Sequence, residues 1–170
     1  MDSLLIITIS GPDRAGLVEQ LAEEIAANGG NWEHSRMTHL ADRFVGLLQI
    51  RVAGDRQQDL EAAIRVIPDL DVLIAPAEVE VEPSTAKEFE LEVTGSDHPG
   101  IVRDVFQVLA QAGVNVEQLK TETTNAPDTG EILFTSVARL SCDASVDHHA
   151  LGTQLEAIAS DILVDIKMSS

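Results

Sequence analysis

GPDRAGLV, residues 11 to 18, returns as GSDHPGIV at residues 95 to 102, an offset of 84 positions. Both copies follow a short apolar run and precede a stripe of apolar residues at helical spacing, so the chain is to be read as two similar units. Upstream of the first copy, SLLIITIS at residues 3 to 10 is short and Ile-rich and stops at Gly11-Pro12, which predicts a mostly buried strand. Downstream, Leu17, Val18, Leu21, Ile25 and Ala26 predict a helix, with Glu19, Gln20, Glu23 and Glu24 opposite and Asn28-Gly29-Gly30 as its stop.

The pattern then turns extended again. WEHSRMTHL and FVGLLQIRV, joined by Ala41-Asp42-Arg43, predict a hairpin. Leu60, Ala63, Ile64 and Ile67 predict a second helix ending at Pro68, and DVLIAPAEVEV a closing strand. After Pro83 the order recurs. KEFELEVTG predicts a strand; Ile101, Val102, Val105, Phe106 and Leu109 predict a helix stopped by Gly113. VNVEQLKTETT and EILFTSVARL flank the turn NAPDTG at 125 to 130, and Leu151, Leu155 and Ile158 mark a last helix before DILVDIKM. The expected organisation is a first domain over 1–82, a linker over 83–86 and a second domain over 87–170. Each has the order strand, helix, strand, strand, helix, strand. That order predicts an α+β, ferredoxin-like fold: an antiparallel sheet with both helices on one face. Two such units can cover each other's exposed surface or pair edge strands, leaving a crevice suited to a ligand.

Composition narrows the function classes. Apolar residues make up 44% of the 170 and charged residues 24%, the balance of a folded globular protein. The net charge of -18 divides evenly, 15 acids against 6 bases through Glu82 and 14 against 5 after it. Phosphate backbones and anionic membranes both require clustered Lys and Arg, so direct nucleic-acid or membrane binding is not expected and an effect on transcription needs a protein intermediary. Cys142 is the single cysteine, which excludes an intrachain disulfide framework and fits a reducing, cytoplasmic setting. MDSLLIITIS has an acid where a signal peptide carries positive charge, and no segment approaches the roughly 20 apolar residues needed to cross a bilayer.

The repeated loop is the candidate site. Gly11 and Gly16, and likewise Gly95 and Gly100, admit backbone conformations or close approaches closed to other residues, and the helix entrance offers unpaired N–H groups to a carboxylate. Asp13 and Asp97 stand where they can cap the helices; released from capping, they can meet an ammonium group. Arg14 can hold a carboxylate at two points or stand as a solvated helix-start cation, and His98 can add charge near neutral pH or simply be solvated. The two copies also share Val18/Val102, Gly29/Gly113, Asn31/Asn115 and Glu33/Glu117.

GPDRAGLV with the later NGGNWEHSRM, and GSDHPGIV with AGVNVEQLKT, resemble the ACT domain, a small regulatory βαββαβ module. The tandem arrangement, with HSRMTHLADRFVGLLQI in the first copy, is similar to the glycine cleavage system transcriptional repressor family. The resemblance implies amino-acid binding at interfaces between ACT units, through the strand-to-helix loop and the start of the next strand. Carried onto this chain, the ligand-binding positions are Gly11, Pro12, Asp13, Arg14, Ala15, Gly16 and Leu17 with Asn31. In the second copy they are Gly95, Ser96, Asp97, His98, Pro99, Gly100 and Ile101 with Asn115. It further implies a transcriptional regulator as protein partner, and exposed edge strands favour a homodimer. Ala15 facing Pro99 and Arg14 facing His98 are departures between the copies that allow the loops to differ in ligand or affinity.

Other chemistries are poorly supported. His34 and His39, five apart on a strand, project to opposite faces, and His148-His149 are adjacent, so no metal site is expected. Ser96-Asp97-His98 are consecutive and cannot align as nucleophile, base and orienter. Cys142, near a strand end, has no basic neighbour that the sequence identifies and reads as a buried or edge thiol. No phosphate loop or dinucleotide fingerprint occurs, and no cofactor is expected. The expected function is a non-enzymatic, amino-acid-binding regulator. A ligand-independent interaction module is the alternative, as is a regulatory relative of an ACT-containing enzyme such as formyltetrahydrofolate deformylase.

Overall fold

The computed structural model describes residues 1–77 and 86–168. The chain divides into two compact units, Met1–Glu82 and Pro83–Ser170. The expected close of the first domain at residue 82, the linker at 83–86 apart from Ala86, and the tail of the closing strand beyond Ala77 lie outside the described residues.

In the first unit, β1 (Asp2–Pro12), α1 (Leu17–Ala27), β2 (Asn31–Leu40), β3 (Arg43–Ala53), α2 (Gln57–Arg65) and β4 (Asp71–Pro76) follow the expected order. The sheet order is β2-β3-β1-β4, with every neighbouring pair antiparallel. Alternation along β1 and β3 sends Leu5, Ile7, Ile9, Leu48, Ile50 and Val52 to one face. There they form a single core with Leu21 and Ile25 of α1 and Leu60 and Ile64 of α2. Fully burying each such side chain is worth about 1.5–3 kcal/mol, so this one layer of sheet and helix stabilises the unit.

The second unit repeats the plan. It consists of β5 (Lys87–Ser96), α3 (Ile101–Gln111), β6 (Asn115–Asn125), β7 (Ile132–Cys142), α4 (His148–Glu156) and β8 (Leu163–Met168), in the sheet order β6-β7-β5-β8. Phe89, Leu91, Val93, Val105, Leu109, Leu140, Leu151 and Leu155 form its core. Both units are therefore ferredoxin-like α+β folds with helices on one sheet face.

The glycines after α1 and α3 stop the helices by one mechanism. Gly29 and Gly113 have φ of 75° and 71°. Their N–H groups bond back to Ala26 and Ala110, and the next N–H groups to Ile25 and Leu109. This is the double bond pattern of a left-handed helix stop.

Two readings need correction. Val18, Val102 and Ala26 recur at the helical spacing of the apolar residues, but Val18 and Val102 are 45% and 41% exposed and Ala26 is also exposed. The core takes the narrower rows Leu17, Leu21, Ile25 and Ile101, Val105, Leu109, because the sheet beneath accepts one ridge of each helix. The second helix ends at Arg65 rather than at Pro68, although Ile67 still reaches the core.

Candidate functional site

The repeated loop connects β1 to α1 and β5 to α3. Its outer glycines serve packing. A Cβ on Gly11 would stand 2.6 Å from the backbone oxygen of Asp69, and one on Gly95 would stand 3.0 Å from Ile162 Cγ1. These positions are held small by the segment that leads into the edge strand β4 or β8.

The inner glycines set the helix entrance. Gly16 and Gly100 have φ of 83° and 96° and are the capping residues of α1 and α3. The capping role expected of Asp13 and Asp97 is thereby overturned: no side chain caps either helix. The physical reason is that the left-handed glycine starts the helix three residues beyond each aspartate. Asp13 N–H instead donates to Asp42 O and Asp97 N–H to Ile132 O, which ties each loop to the neighbouring strand.

At α1 the first protein-paired amide is that of Gln20, donating to Gly16 O, so the N–H groups of Leu17, Val18 and Glu19 have no protein acceptor among the described residues. Space beside Gly16 is open, with nothing within 4 Å of where a Cβ would stand. Pro12, Asp13, Arg14 and Ala15 are exposed, and among the described residues Arg14 holds only Gln20, Nη2 to Oε1 at 2.7 Å. The result is an open shelf of amide donors with an exposed guanidinium at its side, beside the acid Glu19.

The second entrance is more occupied. Ser96 N–H donates to the Asp161 carboxylate at 2.8 Å. Ile101 N–H donates to His98 O. His98 Nδ1 lies 3.3 Å from Pro99 O, and Arg103 Nη2 would stand 3.2 Å from a Cβ on Gly100. Pro99 is exposed. The first copy cannot reproduce the Asp161 contact, because Pro12 takes the place of Ser96 and has no N–H to give. Asp69, the counterpart of Asp161 two residues before its edge strand, meets the loop through its backbone oxygen.

The bond from Ser96 is the first cause holding the Asp161 carboxyl below the usual aspartate range, with the charge of His98 contributing last. A depressed folded value means that the contribution to stability is complete above the ordinary aspartate pKa of about 4 and is lost as pH falls through the lower folded value. The Ser96 amide resonance should therefore stay constant from neutral pH down to about pH 5 and move only in stronger acid. A shift of that resonance already complete above pH 5 would show that a group other than Asp161 governs the loop.

Asn31 and Asn115 do not sit with their own loops. The register places Asn31 beside Arg51 and Leu4, seven residues along β1 from Gly11, and Asn115 beside Ser141 and Glu88, seven from Gly95. That separates each asparagine from its unit's loop by about 23 Å. Asn115 Nδ2 donates to Glu117 Oε1 at 2.7 Å, a bond that Asn31 does not make among the described residues. The shared Glu33 and Glu117 occupy the bulged position of β2 and β6. Hydrogen bonds hold both carboxyls low: from Arg51 and then Gln49 on Glu33, and from Ser141 and then Asn115 on Glu117. These glutamates organise strand starts.

Asp69 and Asp161 are the site residues that sequence reasoning missed. The signal was an aspartate two residues before the last strand of each unit, in IPDLDV and ASDILV. Cys142 is buried, and its basic neighbour proves to be His148, with Sγ to Nε2 at 3.6 Å. Burial first, and then the charge of Asp143, pushes the thiol pKa up, which keeps it protonated. No helix among the described residues is long and apolar enough to cross a membrane.

Comparison with known proteins agrees with this architecture. The ACT domain family matches residues 3–73 and again 89–141. An unknown protein from Galdieria sulphuraria has a similar structure at 27% identity, with both chains covered completely and a TM-score of 0.85. A candidate glycine cleavage system transcriptional repressor is similar at 18% identity over 99% of each chain, TM-score 0.71. A formyltetrahydrofolate deformylase from Pseudomonas putida matches 47% of this chain and 28% of its own at 12% identity and a TM-score of 0.38. No curated protein matches the sequence. With two matched segments spanning well over half of its length, each on a βαββαβ unit, the chain belongs to the ACT domain family and carries two ACT domains in tandem.

Proposed function

We propose that the chain is a non-enzymatic cytoplasmic regulator whose first loop, Gly11 to Leu17, receives the carboxylate of a free amino acid. The observation that carries this reading is the open helix entrance at Gly16, where three amides lack protein acceptors beside Arg14. Such a geometry favours an anionic group through aligned N–H donors and the helix dipole. Asp13 is exposed and free of capping, and so available to an ammonium group. Neither asparagine can share a small ligand with the loop of its own unit, so Asn31 and Asn115 are not part of this loop's reach.

Occupancy would shift association with a transcriptional regulator, with ligand and partner altering each other's affinity by the same factor. The charge of -18 supports a protein intermediary over direct DNA contact. Control of glycine cleavage is carried over from the similarity to the candidate glycine cleavage system transcriptional repressor. A ligand-independent interaction module is the second reading, favoured by the second loop, where Asp161 already supplies a carboxylate to Ser96.

Calorimetry of the full chain against glycine and a panel of L-amino acids tests the proposal. Binding at one site per chain is expected, and Arg14→Ala should weaken it about tenfold, the equivalent of about 1.4 kcal/mol from one exposed charge-assisted contact. Silence across the panel at millimolar concentration, from folded protein, removes the sensor reading and leaves the interaction module.

A further inference from the structure

The second helices of the two units, α2 and α4, match residue for residue. Both span nine residues, and each buries two aliphatic side chains four apart, Leu60 and Ile64 in α2, Leu151 and Leu155 in α4. In that alignment Gln57, Glu61 and Arg65 of the first unit correspond to His148, Gly152 and Glu156 of the second. The first set forms a ladder along its helix. Gln57 Nε2 donates to Glu61 Oε1 at 2.8 Å, and Arg65 Nη2 lies 3.7 Å from Glu61 Oε2. The Glu61 side chain is only 27% exposed, so it lies along the protein rather than out in solvent. The second unit has no side chain at that middle rung.

Neither backbone nor packing calls for glycine at 152. It stands inside α4, where glycine is a weak helix former, and it is not among the glycines with positive φ. A Cβ there would stand 3.7 Å from Ile166 Cδ1, an ordinary contact, so a methyl group fits. What the glycine provides is open space. Between α4 and the edge strand β8 it leaves a depression of about 360 Å³, with Val164 and Ile166 on the strand side and His148, His149 and Glu156 on the helix side. One wall is fixed, because the His148 ring lies 4.6 Å from that of buried Phe89 and its Nε2 lies 3.6 Å from Cys142 Sγ. The Glu156 carboxylate is exposed and has no hydrogen-bond or ion-pair partner among the described residues.

We propose that this depression binds a small organic ammonium ion, an amine without a carboxylate, with its apolar body on Val164 and Ile166 and its charged head toward Glu156. Charge selects the class. The chain after Glu82 carries 14 acids against 5 bases, so its field draws cations and repels anions. A free amino acid would bring its carboxylate to a place lined by no Lys or Arg, which separates this site from the loop at Gly16. An inorganic cation is no better suited, since no group of three His, Cys, Asp or Glu among the described residues could hold one. The site is independent of amino-acid binding at the first loop.

Methyl NMR of the full chain tests it, with phenethylamine, protonated at neutral pH, as the probe and phenylethanol and phenylacetate as its uncharged and anionic counterparts. Titration to about 10 mM covers the affinity open to a ligand of this size. The ammonium ion should move the Ile166 and Val164 methyl resonances saturably, the alcohol should do so more weakly, and phenylacetate should leave them in place. Glu156→Gln should weaken the ammonium ion about two- to fivefold, as for an exposed ion pair, and leave the alcohol unchanged. Gly152→Leu fills the depression and should abolish binding. Gly152→Ala adds one methyl at a position with room for it and should weaken binding, which keeps the test decisive if the leucine variant fails to fold. Arg14→Ala should have no effect, so failure here is distinguished from failure of amino-acid binding at the first loop. Methyl resonances that ignore the ammonium ion, an equal response to phenylacetate, or binding undiminished by the Gly152 changes would each overturn the proposal.

Discussion

Gly11→Ala is expected to destabilise the protein by about 2–3 kcal/mol, the upper part of the range for an overpacked interior position, while Gly95→Ala is expected to cost less than about 1 kcal/mol. The two glycines are counterparts in the repeat, and neither has a positive φ, so backbone strain contributes to neither change. What differs is the neighbour. The new methyl at position 11 would meet the backbone oxygen of Asp69 at 2.6 Å and Leu70 Cδ1 at 3.3 Å. Asp69 itself sits at φ 60° and is followed at once by the Asp71 to Ser10 pairing of β4 with β1, so the obstructing carbonyl has little room to withdraw. At position 95 the nearest atom is Ile162 Cγ1 at 3.0 Å, a side-chain carbon rather than backbone, which has to give by only a few tenths of an ångström. Urea denaturation of the two variants checks this through the midpoint at unchanged slope. Equal losses at the two sites would mean that the clash at Asp69 is relieved by backbone movement.

The same pair of glycines shows what was legible in the sequence. Their recurrence at an offset of 84 disclosed the duplication, and period-2 and period-3.6 patterning disclosed the elements, because both signals are local. The neighbours that fix the glycines were not legible. Asp69 and Asp161 lie 58 and 66 residues from Gly11 and Gly95, and only the pairing of β4 with β1 and of β8 with β5 brings them to the loops. The aspartate caps failed for a related reason. A capping reading assumes that the helix starts directly after Asp13 or Asp97, whereas a left-handed Gly16 or Gly100 delays that start and spends the aspartate amides on the adjacent strand connection. Where a true side-chain cap occurs, at Asp147 of α4, Oδ1 accepts from His149 and Ala150 N–H without an intervening glycine. Val18 and Val102 were misread because helical periodicity assigns a face only to within one ridge, and the sheet chose the neighbouring row.

Phe89→Ala carries the other large expectation, a loss of about 3–5 kcal/mol, as for removal of a fully buried aromatic ring. Phe89 has no exposed surface, and its ring lies 4.6 Å from that of His148, whose Nε2 in turn approaches Cys142 Sγ. The change should therefore be visible at the thiol. In the native protein Cys142 is buried and its pKa is raised, so a thiol reagent can reach it only through local or wider opening. If opening and reclosing are fast relative to labelling, the rate follows the open population, and a loss of about 3–5 kcal/mol raises it about a hundred- to several-thousandfold. His148→Ala separates the two roles that the imidazole can have. As packing over the sulfur it shields the thiol, and its removal speeds labelling. As a base that activates the thiol, its removal slows labelling. The depressed thiolate character of a buried sulfur beside Asp143 predicts the first outcome, and a slower reaction in His148→Ala would show that the duplicated fold holds a primed nucleophile after all.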